Sequence, residues 1–481
     1  MMPASTLSLT GVWHERLRAH LFPGDGLEAA AILLCSRTPG PRLRLLVREA
    51  ILVPYEECRR ERDSLTWPGH YIEQAIDRSE REQLAIILLH SHPGGFFDFS
   101  GLDNRSDEAV IPSLFQAFGD LHGSAIMVPT GAMRARLYGP QLAVRPVDLV
   151  SVAGHDLRFW WESDALLGAP SLRPLAFTRG MRDELGRLTA GVIGLSGTGS
   201  VGGEALARIG FGRIKAIEFD IVELRNLDRI LNSTSADAAA KRLKVDVYAE
   251  AVTRYRGKGV VEKIPASVLS RKAVLAASQC DVLFCYVDTL EARQIADLIS
   301  AAFLLPLFDV GVTIPVRKAG EDLAIADVCG RIDYVQPGRS SLWDRGVYTA
   351  EQLRAEYLRR VAPEDYAREL REGYFKGLIE EAPAVITLNM RAASACVNEF
   401  VARAYPFRLE PNERYARTTF SLAACEEEYT AEHEFVASPN LVLARGAQEP
   451  LLGLPVLGVE DVASKSANIQ ERSHARCTMV A

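Results

Sequence analysis

The sequence predicts an α/β protein of two units, a mixed α/β unit followed by a doubly wound parallel sheet. Three observations predict it. Apolar strand-like runs in the first third end on His90-Ser91-His92-Pro93; a strand, glycine turn, helix and strand follow one another between Gly191 and Asp220; and 481 residues at 48% hydrophobic suffice for two or three cores. A net charge of −7 with both signs interspersed leaves no basic footprint for nucleic acid or an anionic membrane. Eight cysteines without a CxxC pair suit a reducing compartment. The start of the chain lacks a charged region leading into an apolar core, and no apolar run approaches the roughly 18 residues that span a bilayer. The expected location is therefore the cytoplasm.

In the first third, Leu27 to Cys35 and Leu43 to Val53 read as buried strands joined by a Pro/Gly turn, and a helical segment carrying Ile72, Ala75 and Ile76 follows. The strand Leu84 to Leu89 then delivers His90 and His92 at its end, where Pro93 turns the chain into a loop. Eleven residues after His92 comes Asp103, with Ser100 three before it. Two nitrogens and one carboxylate make three zinc ligands and leave a fourth position for water, the pattern of a catalytic rather than a structural zinc site. The water needs a base, and Glu28 on a neighbouring strand is the first choice, with Glu49, Glu56 and Glu57 as competitors.

This run resembles the JAB/MPN (JAMM) metallopeptidases, whose pattern is an early glutamate, H-x-H-P, six residues and S-x-x-D; here Glu28, His90-Ser-His92-Pro93 and Ser100-Gly-Leu-Asp103 fill every position. The resemblance implies zinc on His90, His92 and Asp103, proton transfer by Glu28 and help from Ser100 in holding the oxyanion or the water. It also implies cleavage of peptide or isopeptide bonds after the C-terminus of ubiquitin-like proteins. Ala31 departs from the glycine usual after the glutamate. The unit is expected over 1–145, closing on a strand pair near Tyr138, with 146–175 as a connector.

The second unit is expected over 176–447. Gly191 to Leu195 reads as a buried strand, Gly197, Gly199 and Gly202 as a phosphate-approaching turn, Val201 to Ile209 as a helix, and Ile214 to Phe219 as a strand ending on Asp220, which can accept from ribose hydroxyls. Glycines alone would favour a dinucleotide oxidoreductase of Rossmann-like fold. The run Asp220-Ile-Val-Glu-Leu-Arg-Asn226-Leu-Asp-Arg229 instead adds an amide and a guanidinium suited to a triphosphate.

That run is similar to the D-x-V-E-x-x-N-L-x-R of the ThiF/MoeB adenylyltransferases, which include the ubiquitin-activating enzymes. The resemblance implies ATP and magnesium as cofactors, Asn226 and Arg229 at the nucleotide, Lys244 (or Lys241, one turn earlier) against developing phosphate charge, and Asp288 as the magnesium ligand. Arg293 is a further carry-over. Arg179, with Arg182 as the alternative, matches an arginine that reaches phosphate, often across a dimer, so a homodimer is expected. A salt-bridged surface arginine is the ordinary reading of both.

Gly330 to Asp344 carries serine and aspartate where relatives hold cysteines, so no structural zinc is expected in this half. The thioester nucleophile is open among Cys329, Cys396 and Cys425, with Cys425 the first choice although Glu426 to Glu428 beside it would raise a thiol pKa. Direct transfer to a partner's nucleophile, a conjugating enzyme among them, is the other route. Residues 345–381 read as a solvated helical insert, and 448–481 as a poorly ordered tail.

Together the resemblances imply a bacterial fusion of a JAB/MPN domain to a Rossmann-like ThiF-type domain. One half would adenylate the C-terminus of a ubiquitin-like or sulfur-carrier protein and the other would cleave after such a C-terminus. The alternatives are a peptidase with a regulatory nucleotide domain, and an adenylyltransferase for a peptide or small molecule.

Overall fold

The computed structural model describes residues 2–38, 40–139, 141–165, 168–319, 322–372 and 385–458. Two large sheets organise them. The first has nine strands: β1 (Ser5–Thr10), β2 (Ala30–Thr38), β3 (Leu43–Leu52), β4 (Ala85–Ser91), β5 (His122–Met127), β6 (Met133–Tyr138), β7 (Val144–Pro146), β8 (Leu149–Ala153) and β9 (Leu157–Trp161), in the order β9-β8-β1-β3-β2-β4-β5-β6-β7. The strands β2 and β4 are almost wholly buried, as their unbroken apolar runs require. Helix α1 (Gly11–Leu21) covers one face, and α2 (Gly101–Ala117) lies against the other beside the end of β4.

Residues 146–175 do not simply connect the two units. β8 pairs in parallel with β1, and β9 pairs with β8, so both extend the first sheet. Leu149, Leu157 and Trp161 then pack into a core shared with Met181, Leu185 and Phe400 from the second half. Alternation explains the double duty: Val150 and Val152 point into the first core while Leu149 points into the second.

The second sheet has eight strands: β10 (Thr189–Ile193), β11 (Arg213–Ile217), β12 (Val261–Ile264), β13 (Val282–Cys285), β14 (Leu307–Thr313), β15 (Cys329–Val335), β16 (Arg417–Ser421) and β17 (Glu426–Thr430), in the order β12-β11-β10-β13-β14-β15-β16-β17. The pairings from β12 to β14 are parallel and those from β14 to β17 antiparallel. Strand order reverses between β10 and β13, and in such sheets ligands bind in the crevice outside the carboxyl ends at the reversal. Helices α3 (Gly197–Ile209), α4 (Lys244–Arg256), α5 (Leu290–Phe303) and α6 (Ile386–Ala404) cover the sheet.

The stretch 238–251 is not one continuous helix. Ser235–Ala239 forms a short helix, Lys241 takes a left-handed φ of 49°, and α4 starts afresh at Lys244. The helical insert is present as Ala350–Val361 and Pro363–Glu372, and its remainder to 381 lies outside the described residues. Of the expected tail, Leu451 and Leu457 are buried against the second core, and 459–481 lie outside the described residues.

The halves meet through buried polar contacts. Arg42 pairs with Asp281 at 2.6 Å, Arg44 donates to the Ser278 carbonyl at 2.7 Å, and Tyr334 donates to the Gly154 carbonyl at 2.6 Å. Burial pushes the Arg44 guanidinium down to about 9.

Candidate functional site

The first constellation stands at the end of β4. His90 is still in the strand opposite Ala30 of β2, and His92 follows one residue after the strand ends. Continuing that antiparallel register places Glu28 opposite His92. Ser100 caps α2: its Oγ accepts from the amides of Leu102 and Asp103 at 3.2 Å each, while the Asp103 carboxylate accepts from the Ser100 amide at 2.5 Å. This capping box turns Asp103 toward the histidines. Ser100 is thus committed to the helix terminus as an acceptor, and its hydroxyl proton stays free to donate.

His90 Nε2 lies 3.1 Å from Asp103 Oδ1, His92 Nε2 lies 3.5 Å from Asp103 Oδ2, and the two Nε2 atoms are 3.0 Å apart. One donor atom from each residue falls within 4.8 Å of the others, a set that fits one metal ion. His92 Nδ1 is 2.7 Å from the Phe96 carbonyl; as an N–H donor there it leaves Nε2 with a lone pair facing the cluster. Burial opposes ionisation of Asp103, but the imidazoles and the Ser100 amide outweigh it and hold the carboxyl well below the usual carboxylate range. Burial likewise works against His92, yet Asp103, the Phe96 carbonyl and Glu28 raise it.

Glu28 is buried, and loss of solvent, with Asp103 assisting and His92 opposing, pushes its carboxyl up to about 7. That suits a group that gives and takes a proton near neutrality. Arg60, which the sequence does not single out, fixes it by donating to the Glu28 carbonyl at 2.7 Å while pairing with Asp25. Glu49 is held in an ion pair with Arg78.

The second constellation is a cavity of about 1290 Å³ at the strand-order reversal, lined by Gly197, Asp220, Arg229, Lys244 and Asp288. Asp220 follows β11, Asp288 follows β13, and Lys244 is the first residue of α4. Its Nζ lies 3.0 Å from Asp220 Oδ2, and its amide donates to the Asp220 carbonyl at 2.9 Å. Arg293, buried, holds Asp309 and donates to the Val287 carbonyl at 2.6 Å, which fixes the strand end that presents Asp288.

The three glycines divide. A Cβ on Gly197 would strike Asn389 Nδ2 at 2.3 Å, on the cavity wall. A Cβ on Gly199 would meet the Gly194 carbonyl at 2.0 Å, and one on Gly202 the Tyr286 ring at 2.4 Å, so these two let the helix pack on the protein and neither lines the cavity. Asn226 does not line the cavity either: it is buried, and its Oδ1 accepts from the Glu223 amide at 3.1 Å and closes a turn. Arg179 is almost fully exposed, faces Asp183 at 3.6 Å and does not line the cavity.

Cys396 is buried in α6, where loss of solvent raises its thiol. Cys425 is exposed at the β16–β17 turn with φ 58°, beside Glu426 on the cavity rim, and Cys329 lines the cavity. Asn389 was not anticipated: buried in the cavity wall, it accepts from Thr198 Oγ1 at 3.0 Å while its Nδ2 has no partner among the described residues. An amide set between Leu388 and Met390 near the start of α6 was the available signal. Among the described residues no helix is long and apolar enough to cross a membrane.

Residues 11–138 match the family of prokaryotic homologs of the JAB domain, and residues 171–321 match the ThiF family. The chain is 28% identical over 152 residues to ubiquitin-like modifier-activating enzyme 5 of Oryza sativa subsp. japonica, covering 28% of this chain and 35% of that protein. It is 26% identical over 172 residues to the enzyme of that name from Bombyx mori, covering 33% and 40%. The match therefore spans a little over a third of these relatives' own length. The crystal structure of E. coli MccB with ATP is 16% identical, with 54% of this chain and 67% of that one covered and a TM-score of 0.39. The chain joins an N-terminal domain of the prokaryotic JAB type to a ThiF-type domain of doubly wound α/β fold.

Proposed function

We propose that the ThiF-type half adenylates the C-terminal carboxylate of a ubiquitin-like or sulfur-carrier protein, and that the JAB-type half cleaves peptide or isopeptide bonds after such a C-terminus. The observation that carries the reading is the single cavity that gathers Asp220, Arg229, Lys244 and Asp288 around the glycine turn. The similarity to enzymes named for activating ubiquitin-like modifiers supports the substrate class.

In the adenylation step a carboxylate oxygen of the carrier attacks the α-phosphorus of ATP. The bond to the bridging oxygen breaks, and pyrophosphate leaves with the electron pair. Asp220 accepts from the ribose hydroxyls, while Lys244 and Arg229 neutralise charge that grows on the phosphates. Asp288 would hold magnesium, which supplies further neutralisation when bound. Positioning does most of the work, because the protein forms no bond to phosphorus. Arg179 lies outside its own subunit's cavity and would reach phosphate only across a homodimer. Two acceptors fit the next step: Cys425 on the rim, and a nucleophile of a partner such as a conjugating enzyme. Loss of a reductant-sensitive carrier adduct in Cys425→Ala separates them.

In the JAB-type half, His90, His92 and Asp103 would hold zinc, which supplies Lewis acidity at the scissile carbonyl. Glu28 takes a proton from the attacking water and passes it to the leaving amine. The Ser100 hydroxyl donates toward the oxyanion. The cytoplasm is the proposed location.

The test is ATP–pyrophosphate exchange with magnesium and a ubiquitin-like protein, comparing the native chain with Asp288→Ala. Exchange that requires both carrier and Asp288 supports the reading. Bound ATP without exchange would replace it with a regulatory nucleotide domain serving a peptidase.

A further inference from the structure

Pro93 to Phe99 join His92 to the Ser100 cap, and at Gly94 and Gly95 nothing lies within 4 Å of where a Cβ would stand. The loop therefore takes its shape from contacts further along. Those contacts fall on two consecutive peptide units. The Phe96 carbonyl faces His92 Nδ1 at 2.7 Å, and the amide of the same unit, on Phe97, donates to the Gly168 carbonyl at 2.6 Å. A trans peptide is planar with its N–H and C=O on opposite sides, so Gly168 fixes the plane that orients His92. In the next unit the Phe97 carbonyl accepts from Arg134 Nη1 at 3.2 Å, and the same guanidinium pairs with Asp98 at 2.6 Å. The buried Phe97 ring packs with Val128, Ala132, Trp160 and Ala165.

The second half of this grip comes from the stretch after β9. Arg134, in β6, forks onto Glu162 through Nη2 and through Nε, the latter at 2.7 Å. Both side chains are largely buried, and a bidentate pair of this kind holds its geometry. The Glu162 amide donates to the Asp148 carbonyl at 3.0 Å, and Asp164 pairs with Arg187 of the second half at 2.5 Å. Residues 162–168 thus lie outside the stretch 11–138 that matches the JAB family, yet they hold the loop beside the histidines.

We propose that Arg134, aligned by Glu162, is a positioning residue for the metal site: it holds the Phe96–Phe97 peptide so that His92 keeps its proton on Nδ1 and its Nε2 lone pair toward His90 and Asp103. The proposal rests on the zinc reading of the JAB-type half and adds to it two residues outside the ligand set. A neutral imidazole freed from the carbonyl populates both tautomers, and one of them has no lone pair at Nε2. Hydrogen bonds in series from the Gly168 carbonyl through the peptide to the ring also polarise one another, which makes Nε2 a more basic ligand.

The experiment measures the zinc affinity of the metal-free full chain at neutral pH, by competition with a chromophoric chelator, beside its thermal midpoint. The variants are Arg134→Ala, Arg134→Lys, Glu162→Ala, Arg134→Ala/Glu162→Ala and, as the baseline without a site, Asp103→Ala. Arg134→Ala is expected to weaken zinc binding by roughly 10–100-fold, the range for lost outer partners of a ligating histidine. Glu162→Ala should lose less, because Arg134 keeps Asp98, and the double variant should bind no more weakly than Arg134→Ala, because both changes undo one clamp. A lysine reaches one carboxylate but cannot fork, so Arg134→Lys should fall between the native chain and Arg134→Ala. That graded rescue is read on zinc, where a role in stability alone would move only the midpoint. Histidine nitrogen resonances of the metal-free chain should show His92 protonated on Nδ1 in the native protein and a mixture in Arg134→Ala. Should Arg134→Ala fail to fold, Arg134→Lys and Glu162→Ala decide by the same readings. Native zinc affinity in the folded variants, or losses that add in the double variant, overturns the proposal and leaves the zinc site standing. A native chain that binds zinc no better than Asp103→Ala overturns the zinc reading and the proposal with it.

Discussion

Lys244 Nζ lies 3.0 Å from Asp220 Oδ2 across the mouth of the nucleotide cavity, with the lysine buried and the carboxylate half-exposed. The pair joins the first residue of α4 to the residue that follows β11, and a backbone hydrogen bond between the same two residues locks the approach. A buried ammonium is costly unless paired, so Asp220 fixes Lys244 in the cavity wall, where the proposed adenylation needs it. Lys244→Ala is expected to lower ATP–pyrophosphate exchange by roughly 100-fold in kcat with little change in thermal midpoint. Asp220→Asn keeps one oxygen that can accept from Lys244 but loses one of the two carboxylate oxygens proposed for the ribose, so it is expected to act mainly on KM for ATP, by about tenfold. An equal split of both variants between kcat and KM would reject this division of roles.

Asp103 serves two purposes, as the carboxylate that faces His90 and His92 and as the N3 residue of the α2 capping box. Removing it by Asp103→Ala is expected to abolish zinc uptake and peptidase activity and to cost about 1 kcal/mol of stability from the lost cap. Asp103→Asn keeps an acceptor for the Ser100 amide, so its thermal midpoint should stay near that of the native chain while zinc content still falls. Metal analysis beside thermal melting reads both effects. Adenylation should be unchanged in either variant.

The sequence makes local chemistry legible where one stretch of chain carries it. His90, His92, Ser100 and Asp103 lie within fourteen residues, and the strand and the helix cap that bring them together are local features. Gly199 and Gly202 show the limit: a pattern of glycines records that a Cβ is forbidden but not whether ligand or protein forbids it, and here Gly194 and Tyr286 do. Asn226 shows a related limit, because an amide whose oxygen closes its own turn looks in sequence like one that faces a ligand. Asn389 reaches Thr198 from 191 positions away, and Trp161 shares a core with Phe400. Contacts of that reach leave no spacing to read, which is why β8 and β9 passed for a connector.

Arg42 and Asp281 tie the two halves together. The guanidinium donates to Asp281 at 2.6 Å and to Thr6 at 2.5 Å, and the other carboxylate oxygen accepts from the Thr189 amide at the start of β10. Both side chains are buried, so Arg42→Ala strands a carboxylate in the interface and is expected to cost roughly 3–5 kcal/mol in chemical denaturation. Arg42→Ala/Asp281→Ala should recover part of that loss. A single-variant cost below about 1 kcal/mol would mean that the interface admits water.

His14 is expected to make the first half sensitive to acid. Its ring is buried between α1 and the β5–β6 turn, with Nε2 2.8 Å from the Gly131 carbonyl. Loss of solvent, opposed by that carbonyl and aided by Arg158 and Arg18, pushes the imidazole down to about 4. The sign follows from linkage: the folded pKa lies below the unfolded value near 6.5, so the unfolded chain takes up a proton that the folded chain refuses. The contribution is fully present above about pH 6.5 and is lost progressively as pH falls toward 4, amounting to about 3 kcal/mol over that window. His14→Gln keeps a donor for Gly131 but cannot titrate. The stability difference between the native chain and His14→Gln, measured by denaturation from pH 7 to 4.5, should therefore shrink as pH falls, because the other histidines titrate alike in both and cancel. A difference independent of pH would show that His14 is protonated in the fold.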